Sequence, residues 1–252
     1  MLKTILSVIY LIFSMIFLLP FGLITGFFYL LGLRKLMPLF TYLIAKVWAW
    51  TSMKIAGCTV TVTGLEKIPK KDGVCFVSNH VGYFDIVLLL AYCGRPFGFV
   101  AKKELLFFPF LNVWIYLLGG LFIDRGNIRK AVRTINKGVR HIKSGGGMLI
   151  FPEGHRSKDR GLLPFHSGSL KLATSAEAPI IPVAIKGSYD ILEKHMRVIR
   201  APVKIAFLEP IITVNIPSED RKQVLCDRIF SVIKKELEND KEQPDDSNNL
   251  SP

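Results

Sequence analysis

A chain of 252 residues can bury one sizeable core, with about 200 residues left for it once an apolar N-terminus is set aside. Half of the residues are hydrophobic, the mean hydropathy is +0.36, and 33 Lys and Arg against 20 Asp and Glu give a formal net charge of +13. A basic surface beside that much apolar residue fits an anionic membrane, and the lack of a zinc-finger or RNP pattern argues against nucleic acid as the partner.

From Thr4 to Leu33 no residue is charged. As one straight helix this stretch would be roughly 45 Å long, more than a hydrocarbon core of about 30 Å, and Pro20 is expected to break or kink it. A cleaved signal peptide is the competing reading, but the run far exceeds an ordinary signal core and no Ala-x-Ala site follows. A second apolar segment, Leu36–Met53, carries Lys46, with Leu36, Leu39, Leu43, Val47 and Trp50 at helical spacing, and is expected to lie in the interface. Together the two segments predict an apolar hairpin for membrane attachment. Basic residues at Lys3, Arg34, Lys35 and Lys54 predict that its ends sit on the cytoplasmic side.

Beyond Cys58 short β-branched runs alternate with helical ones. Thr59–Thr63, Val74–Ser78, Phe97–Ala101, Leu121–Asp124, Met148–Phe151, Ile180–Ile185 and Val203–Leu208 read as strands, and the long helices between them predict an α/β fold with a mostly parallel central sheet flanked by helices. Cys58, Cys75, Cys93 and Cys226 are widely spaced, form no Cys-x-x-Cys pair and indicate neither a disulfide framework nor a metal cluster.

A helix is predicted from about Asn127 to Ser144. Ile128, Ala131, Val132, Ile135, Val139 and Ile142 share an arc of roughly 100°, while the other side carries Arg129, Lys130, Arg133, Lys137, Arg140 and Lys143 with no acidic residue among them. That face suits an anionic lipid surface, or is merely solvated. Ser218, Glu219 and Asp220 read as a capped helix start ahead of an apolar stripe from Val224 to Leu237. The chain thus divides into an anchoring segment, 1–56, an α/β domain, 57–238, and a polar tail, 239–252, whose composition reads as disordered.

Three predicted strands run into polar residues. Val74–Ser78 leads to Asn79-His80, Leu121–Ile123 to Asp124-Arg125, and Met148–Phe151 to Glu153-Gly154. Joined by helical crossovers, these ends can share the carboxyl edge of one sheet, where open α/β sheets bind ligands. His80 and Asp85 are five apart, about 140° away from each other on a continuous helix, so a turn must intervene for them to meet, and Gly82 offers one. Asp85 would then open a helix whose dipole favours a carboxylate there, fixing the His80 tautomer. A His–Asp pair with no adjacent Ser or Cys suits direct activation of a substrate hydroxyl. Taken alone, His-x-x-x-x-Asp is a weak pattern, because a hydrogen-bonded structural histidine is commoner.

The block Asn79-His80-Val81-Gly82-Tyr83-Phe84-Asp85 resembles the Asn-His-x-x-x-x-Asp motif of the glycerolipid acyltransferases, specifically the 1-acylglycerol-3-phosphate acyltransferases. Gly119–Arg125, Phe151–Ser157 and Ala178–Val183 resemble the second, third and fourth blocks, in the family's order. The resemblance implies acyl transfer from acyl-coenzyme A or acyl carrier protein to the 2-hydroxyl of 1-acylglycerol 3-phosphate, giving phosphatidic acid. It implies His80 as base, Asp85 as its partner, and an acceptor site built from Asn79, Arg125, Glu153, Gly154 and Arg156, with no cofactor, metal or acyl-enzyme. Glu153 is expected to orient Arg125 or Arg156, or to accept a hydrogen bond from an acceptor hydroxyl.

Two positions depart from the pattern. His155 stands where the third block usually has Thr, and His166 where many members have Lys. Another acceptor, such as a lyso-ornithine lipid or a lysophospholipid, is therefore the second reading. A membrane-anchored lipid-binding protein without catalysis is the alternative of a different class. A metal-dependent hydrolase finds no support in the spacing of His80, Asp85, Glu153 and His155. The aromatic run between Leu105 and Leu118 either lines an acyl-chain channel or makes ordinary core or membrane contacts.

Overall fold

A computed structural model describes residues 1–33, 36–158, 160–214 and 219–239. Seven strands form one sheet in the order β1-β7-β6-β2-β5-β3-β4. They are β1 (Thr59–Thr63), β2 (Val74–Ser78), β3 (Gly98–Lys102), β4 (Leu121–Ile123), β5 (Gly147–Ile150), β6 (Ile180–Lys186) and β7 (Pro202–Phe207). Each coincides with a predicted strand to within a residue or two. Every neighbouring pair is parallel except β6 with β7. The central strands β2 and β5 are buried along their whole length, as strands covered on both faces must be.

Among the described residues there are seven α-helices: α1 (Leu2–Leu30), α2 (Met37–Ala56), α3 (Asp85–Tyr92), α4 (Leu111–Leu117), α5 (Ile128–Lys143), α6 (Lys171–Ala176) and α7 (Glu219–Asn239). On one face Tyr42, Ala49 and Met53 of α2 and Leu88 and Leu89 of α3 pack over Phe76, Leu149 and Val183. On the other, Ile142 of α5, Leu172 of α6 and Ile229 and Ile233 of α7 pack over Cys75, Met148 and Ile180. The four cysteines are free thiols, three of them buried, as small apolar residues would be. The predicted start of α7 at Ser218 and most of the polar tail lie outside the described residues.

Two features of the N-terminal pair refine the expectation. First, of the break or kink expected at Pro20 the break does not occur, and α1 continues through it. The lost backbone bond is outweighed by attachments on both sides of it: Trp48 Nε1 donates to Ser14 Oγ at 2.9 Å, Trp114 Nε1 to Met15 O at 3.0 Å, and Thr25 and Thr41 hydroxyls meet at 2.7 Å. Second, α2 is shared between the anchor and the α/β core. The stripe Leu36, Leu39, Leu43, Val47 and Trp50 is exposed, whereas Tyr42, Ala45, Ala49, Met53 and Ala56 are buried. Position 56 therefore marks the end of a helix whose inner face already belongs to the core. Lys3 Nζ donates to the terminal carbonyl of Ala56 at 2.7 Å, closing the antiparallel pair. Among the described residues α1 is long and apolar enough to cross a membrane, with only 11% of its most apolar window buried.

Candidate active site

Because β2, β4 and β5 run parallel, their carboxyl ends bring Asn79-His80, Asp124-Arg125 and Glu153-Gly154 to one edge, as the sequence predicts. Strand β2 ends in a buried asparagine. Its Nδ2 donates to Ile185 O and its Oδ1 accepts from Ile185 N, both at 2.8 Å, so Asn79 locks the end of β2 to β6. With these two bonds Asn79 sits behind the cavity described below and does not line it.

After Asn79 the chain turns through Val81–Phe84 into α3, and the turn is held by carboxylates. Asp85 Oδ2 accepts from His80 Nδ1 at 2.7 Å, Val81 N at 2.7 Å and Gly82 N at 3.0 Å, while Oδ1 accepts from the Ser188 hydroxyl. Asp85 is fully buried and begins α3. Since Asp85 brings only acceptors, the His80 proton is assigned to Nδ1, leaving Nε2 toward the substrate. The Phe151 ring stacks on the imidazole at 4.0 Å between centroids and fixes its plane. Gly82 has no unusual φ, and the turn is tight there: a Cβ would lie 3.0 Å from Glu193 Oε2 and 3.3 Å from Tyr189 Cα.

Glu153 is fully buried, with Oε1 accepting from His80 N at 2.6 Å and Oε2 from Leu163 N at 3.2 Å. Burial raises its pKa to about 7, against the lowering effect of those two amides. It thus orients backbone, and the expected contact with either arginine is not made. Two further bonds, Ser157 N to His80 O at 2.7 Å and Lys158 N to Val81 O at 3.2 Å, zip the 151–158 loop to the 79–85 turn.

The arginines are held by other groups. Arg125 Nη1 donates to Gly154 O at 2.6 Å; Gly154 has φ +77°, and a Cβ on it would lie 3.0 Å from that nitrogen. Arg156 lies flat on Tyr83, its guanidinium carbon 3.5 Å from the ring centroid, with Nη1 3.2 Å from Glu193 Oε1. The same Oε1 accepts from Tyr83 N at 2.7 Å. Burial raises the Glu193 pKa, partly offset by the Tyr83 amide and Arg156. Ser188 and Glu193 were missed in the sequence, although a signal existed: β6 is a fourth strand ending at this edge, and both follow it.

These groups border a cavity of about 1300 Å³. Near His80 it is lined by Arg125, Gly154, His155 and Arg156, with His166, Arg160 and Lys171 further along its wall. Elsewhere the wall is mostly apolar, with Lys102 and Glu104 among Met15 and Leu18 of α1, Trp48 of α2, Phe108, Leu111 and Trp114 ahead of and within α4, and Ile128, Val132 and Ile135 of α5. The apolar stripe of α5 is thereby divided. Its C-terminal half packs on the sheet and its N-terminal half faces this space, with the basic side exposed. Such a cavity can hold an anion beside a base while burying alkyl chain along its length.

The family model described as Acyltransferase matches residues 59–186. A 1-acyl-sn-glycerol-3-phosphate acyltransferase of Borreliella burgdorferi is 32% identical over 187 residues, covering 74% of this chain and 75% of that protein. One of the same name from Escherichia coli K12 is 35% identical over 169 residues, covering 66% and 68%. The crystal structure of the 1-acyl-sn-glycerophosphate acyltransferase PlsC from Thermotoga maritima superimposes with a TM-score of 0.80 over 97% of this chain and 98% of that one, at 26% identity.

Proposed function

The chain belongs to the acyltransferase family, and from that membership we propose that it esterifies the 2-hydroxyl of 1-acylglycerol 3-phosphate with an acyl group drawn from acyl-coenzyme A or acyl carrier protein, giving phosphatidic acid. The observation that carries the reading is the His80–Asp85 pair, 2.7 Å apart, on a cavity with guanidinium groups beside the base and apolar walls beyond it.

In this reading His80 Nε2 takes the proton of the acceptor hydroxyl as its oxygen bonds to the thioester carbonyl carbon. The imidazolium so formed is stabilised through Nδ1–H by the buried Asp85 carboxylate. Collapse of the tetrahedral intermediate breaks the carbon–sulfur bond, and the proton on Nε2 passes to the departing thiolate. No Ser, Thr or Cys side chain hydrogen-bonds to His80 among the described residues, in keeping with direct transfer. Arg125 and Arg156 bind the acceptor phosphate, for which a planar guanidinium offers paired charge-assisted donors. Asn79 and Glu153 hold the backbone on which base and arginines stand.

The protein works as a membrane enzyme. Exposed apolar residues on α1 and α2 provide the attachment, and Lys3 and Lys54 at the open end of the hairpin support a cytoplasmic active site. One observation favours a broader acceptor range: His155 and His166, which depart from the family's pattern, both line the cavity. Turnover of a panel of lyso-lipids with one thioester donor tests the proposal. Preference for the phosphate monoester supports it, and equal use of an acceptor lacking phosphate contradicts the assignment of the arginines.

A further inference from the structure

Between β3 and β4 the chain presents Leu106-Phe107-Phe108-Pro109-Phe110 and then α4. The side chains of this segment divide in two. Trp114 and Ile115 are buried, and Leu105, Leu111 and Leu118 pack against the core. Phe107 and Tyr116 are 85% and 75% exposed, and Leu106 and Phe110 are exposed as well. Asn112 Nδ2 donates to Leu106 O at 2.8 Å, fastening the loop to the helix, and Tyr116 stands one turn beyond Asn112. A contiguous aromatic patch of this kind on a water-soluble face would be a liability without a function.

The patch continues the apolar surface of the N-terminal helix. Gly22 and Gly26, four apart on α1, leave room for α4: a Cβ at either would lie 2.9–3.0 Å from Leu117, and one at 22 also 3.1 Å from Trp114. The Trp114 indole donates to Met15 O, adding a polar tie. Exposed Lys102 precedes the patch, next to Lys103, which pairs with Asp124 at 2.9 Å, and to Glu104, and exposed Arg129 and Lys130 follow Ile128. Aromatic side chains bordered by cations and joined to a long apolar helix match the interfacial zone of an anionic bilayer.

We propose that Leu106–Phe110, with Tyr116, is a second lipid-contacting surface that enters one leaflet of the bilayer and seats the mouth of the cavity there, separately from the attachment made by α1 and α2. Phe108 belongs both to this loop and to the cavity wall, so an acyl chain can pass from the leaflet to the site without crossing water. The surface rests on the reading of the acceptor as a membrane lipid, but lipid contact and turnover are measured separately.

The test uses the full chain on vesicles of phosphatidylethanolamine and phosphatidylglycerol. Phe107 and Tyr116 lie outside the cavity wall, so Phe107→Ser with Tyr116→Ser leaves the catalytic groups in place. Turnover of a short-chain acceptor dissolved as monomers should stay within about twofold of the parent, while turnover of a long-chain acceptor carried in the vesicles should fall roughly tenfold, as removal of one or two buried aromatics from a lipid contact implies. In a parallel measurement Phe107→Trp should gain fluorescence that brominated acyl chains quench, above the quenching of the parent's own tryptophans. Equal loss on both acceptors, no loss on either, or a Phe107→Trp signal that brominated lipid leaves unquenched overturns the proposal. If the parent protein turns over neither acceptor while the added fluorescence of Phe107→Trp is quenched, the lipid surface stands and the assignment of the substrate fails.

Discussion

The backbone N–H of His80 donates to Oε1 of Glu153 at 2.6 Å, tying the residue that carries the proposed base to the loop that carries Gly154 and Arg156. Glu153 is enclosed, and its pKa is raised to about 7 by burial. A folded-state value above the unfolded one means that between about pH 4.5 and 7 the native protein holds a proton that the unfolded chain has lost. The stability this confers is complete below the unfolded pKa and is lost as pH rises through about 7.

Glu153→Gln removes that ionisation and one acceptor oxygen. Its stability deficit relative to the parent should be largest near pH 5 and shrink toward pH 8, as read from unfolding midpoints in detergent across that range. A deficit independent of pH would show that Glu153 does not titrate with the fold. Activity should fall as well, because the His80 amide and the 151–158 loop lose a shared anchor.

Arg125→Ala and Arg156→Ala should each raise the Michaelis constant for a phosphate-bearing acceptor by roughly ten- to a hundredfold, the worth of a hydrogen bond to a charged group. The donor's constant should change little. An unchanged acceptor constant in both variants would remove the phosphate from this end of the cavity.

Glu193 holds Arg156 through an ion pair and Tyr83 through its amide, with a carboxyl whose pKa burial has raised. Glu193→Gln should reproduce part of the Arg156→Ala effect on the acceptor constant and add little to it in the double variant, since residues acting through one group are not additive. Full additivity would place the role of Glu193 elsewhere.

Reversal of Arg133, Lys137 and Arg140 to Glu on the exposed side of α5 should weaken binding to anionic vesicles, and the difference should vanish with rising salt, screened within about 10 Å at 0.1 M. Removal of residues 1–30 should weaken binding far more. Vesicle flotation at two salt concentrations separates the two effects, and unchanged binding by the α5 variant would leave that face merely solvated.

Most of the fold was legible because its signals are local. β-branched runs marked all seven strands, and the i, i+3, i+4 repeat from Ile128 to Ile142 marked α5. The His80–Asp85 turn was legible because a five-residue spacing admits contact only through a bend. The remainder depended on tertiary neighbours. Pro20 promised a break or a kink in α1; the helix is not broken there, and bonds to Ser14, Met15 and Thr25 from other helices hold it on both sides of Pro20. The stripe Leu36–Trp50 faces outward because Tyr42, Ala49, Met53 and Ala56 on the other side of α2 pack into the core. Asn79 and Glu153 were placed among the substrate ligands by resemblance, whereas their partners, the backbone of Ile185, His80 and Leu163, could be identified only after folding.

Direct acyl transfer depends above all on His80 as the base. Acyl transfer from an acyl thioester to 1-acylglycerol 3-phosphate by folded, membrane-bound His80→Ala protein is the most direct test. A loss of about 10²–10⁴-fold or more in kcat is expected, the usual contribution of general-base catalysis. Asp85→Asn should be comparably severe, and the double variant little worse than either. Near-normal transfer by His80→Ala, or an acyl group trapped on any side chain of the parent enzyme, would contradict the mechanism.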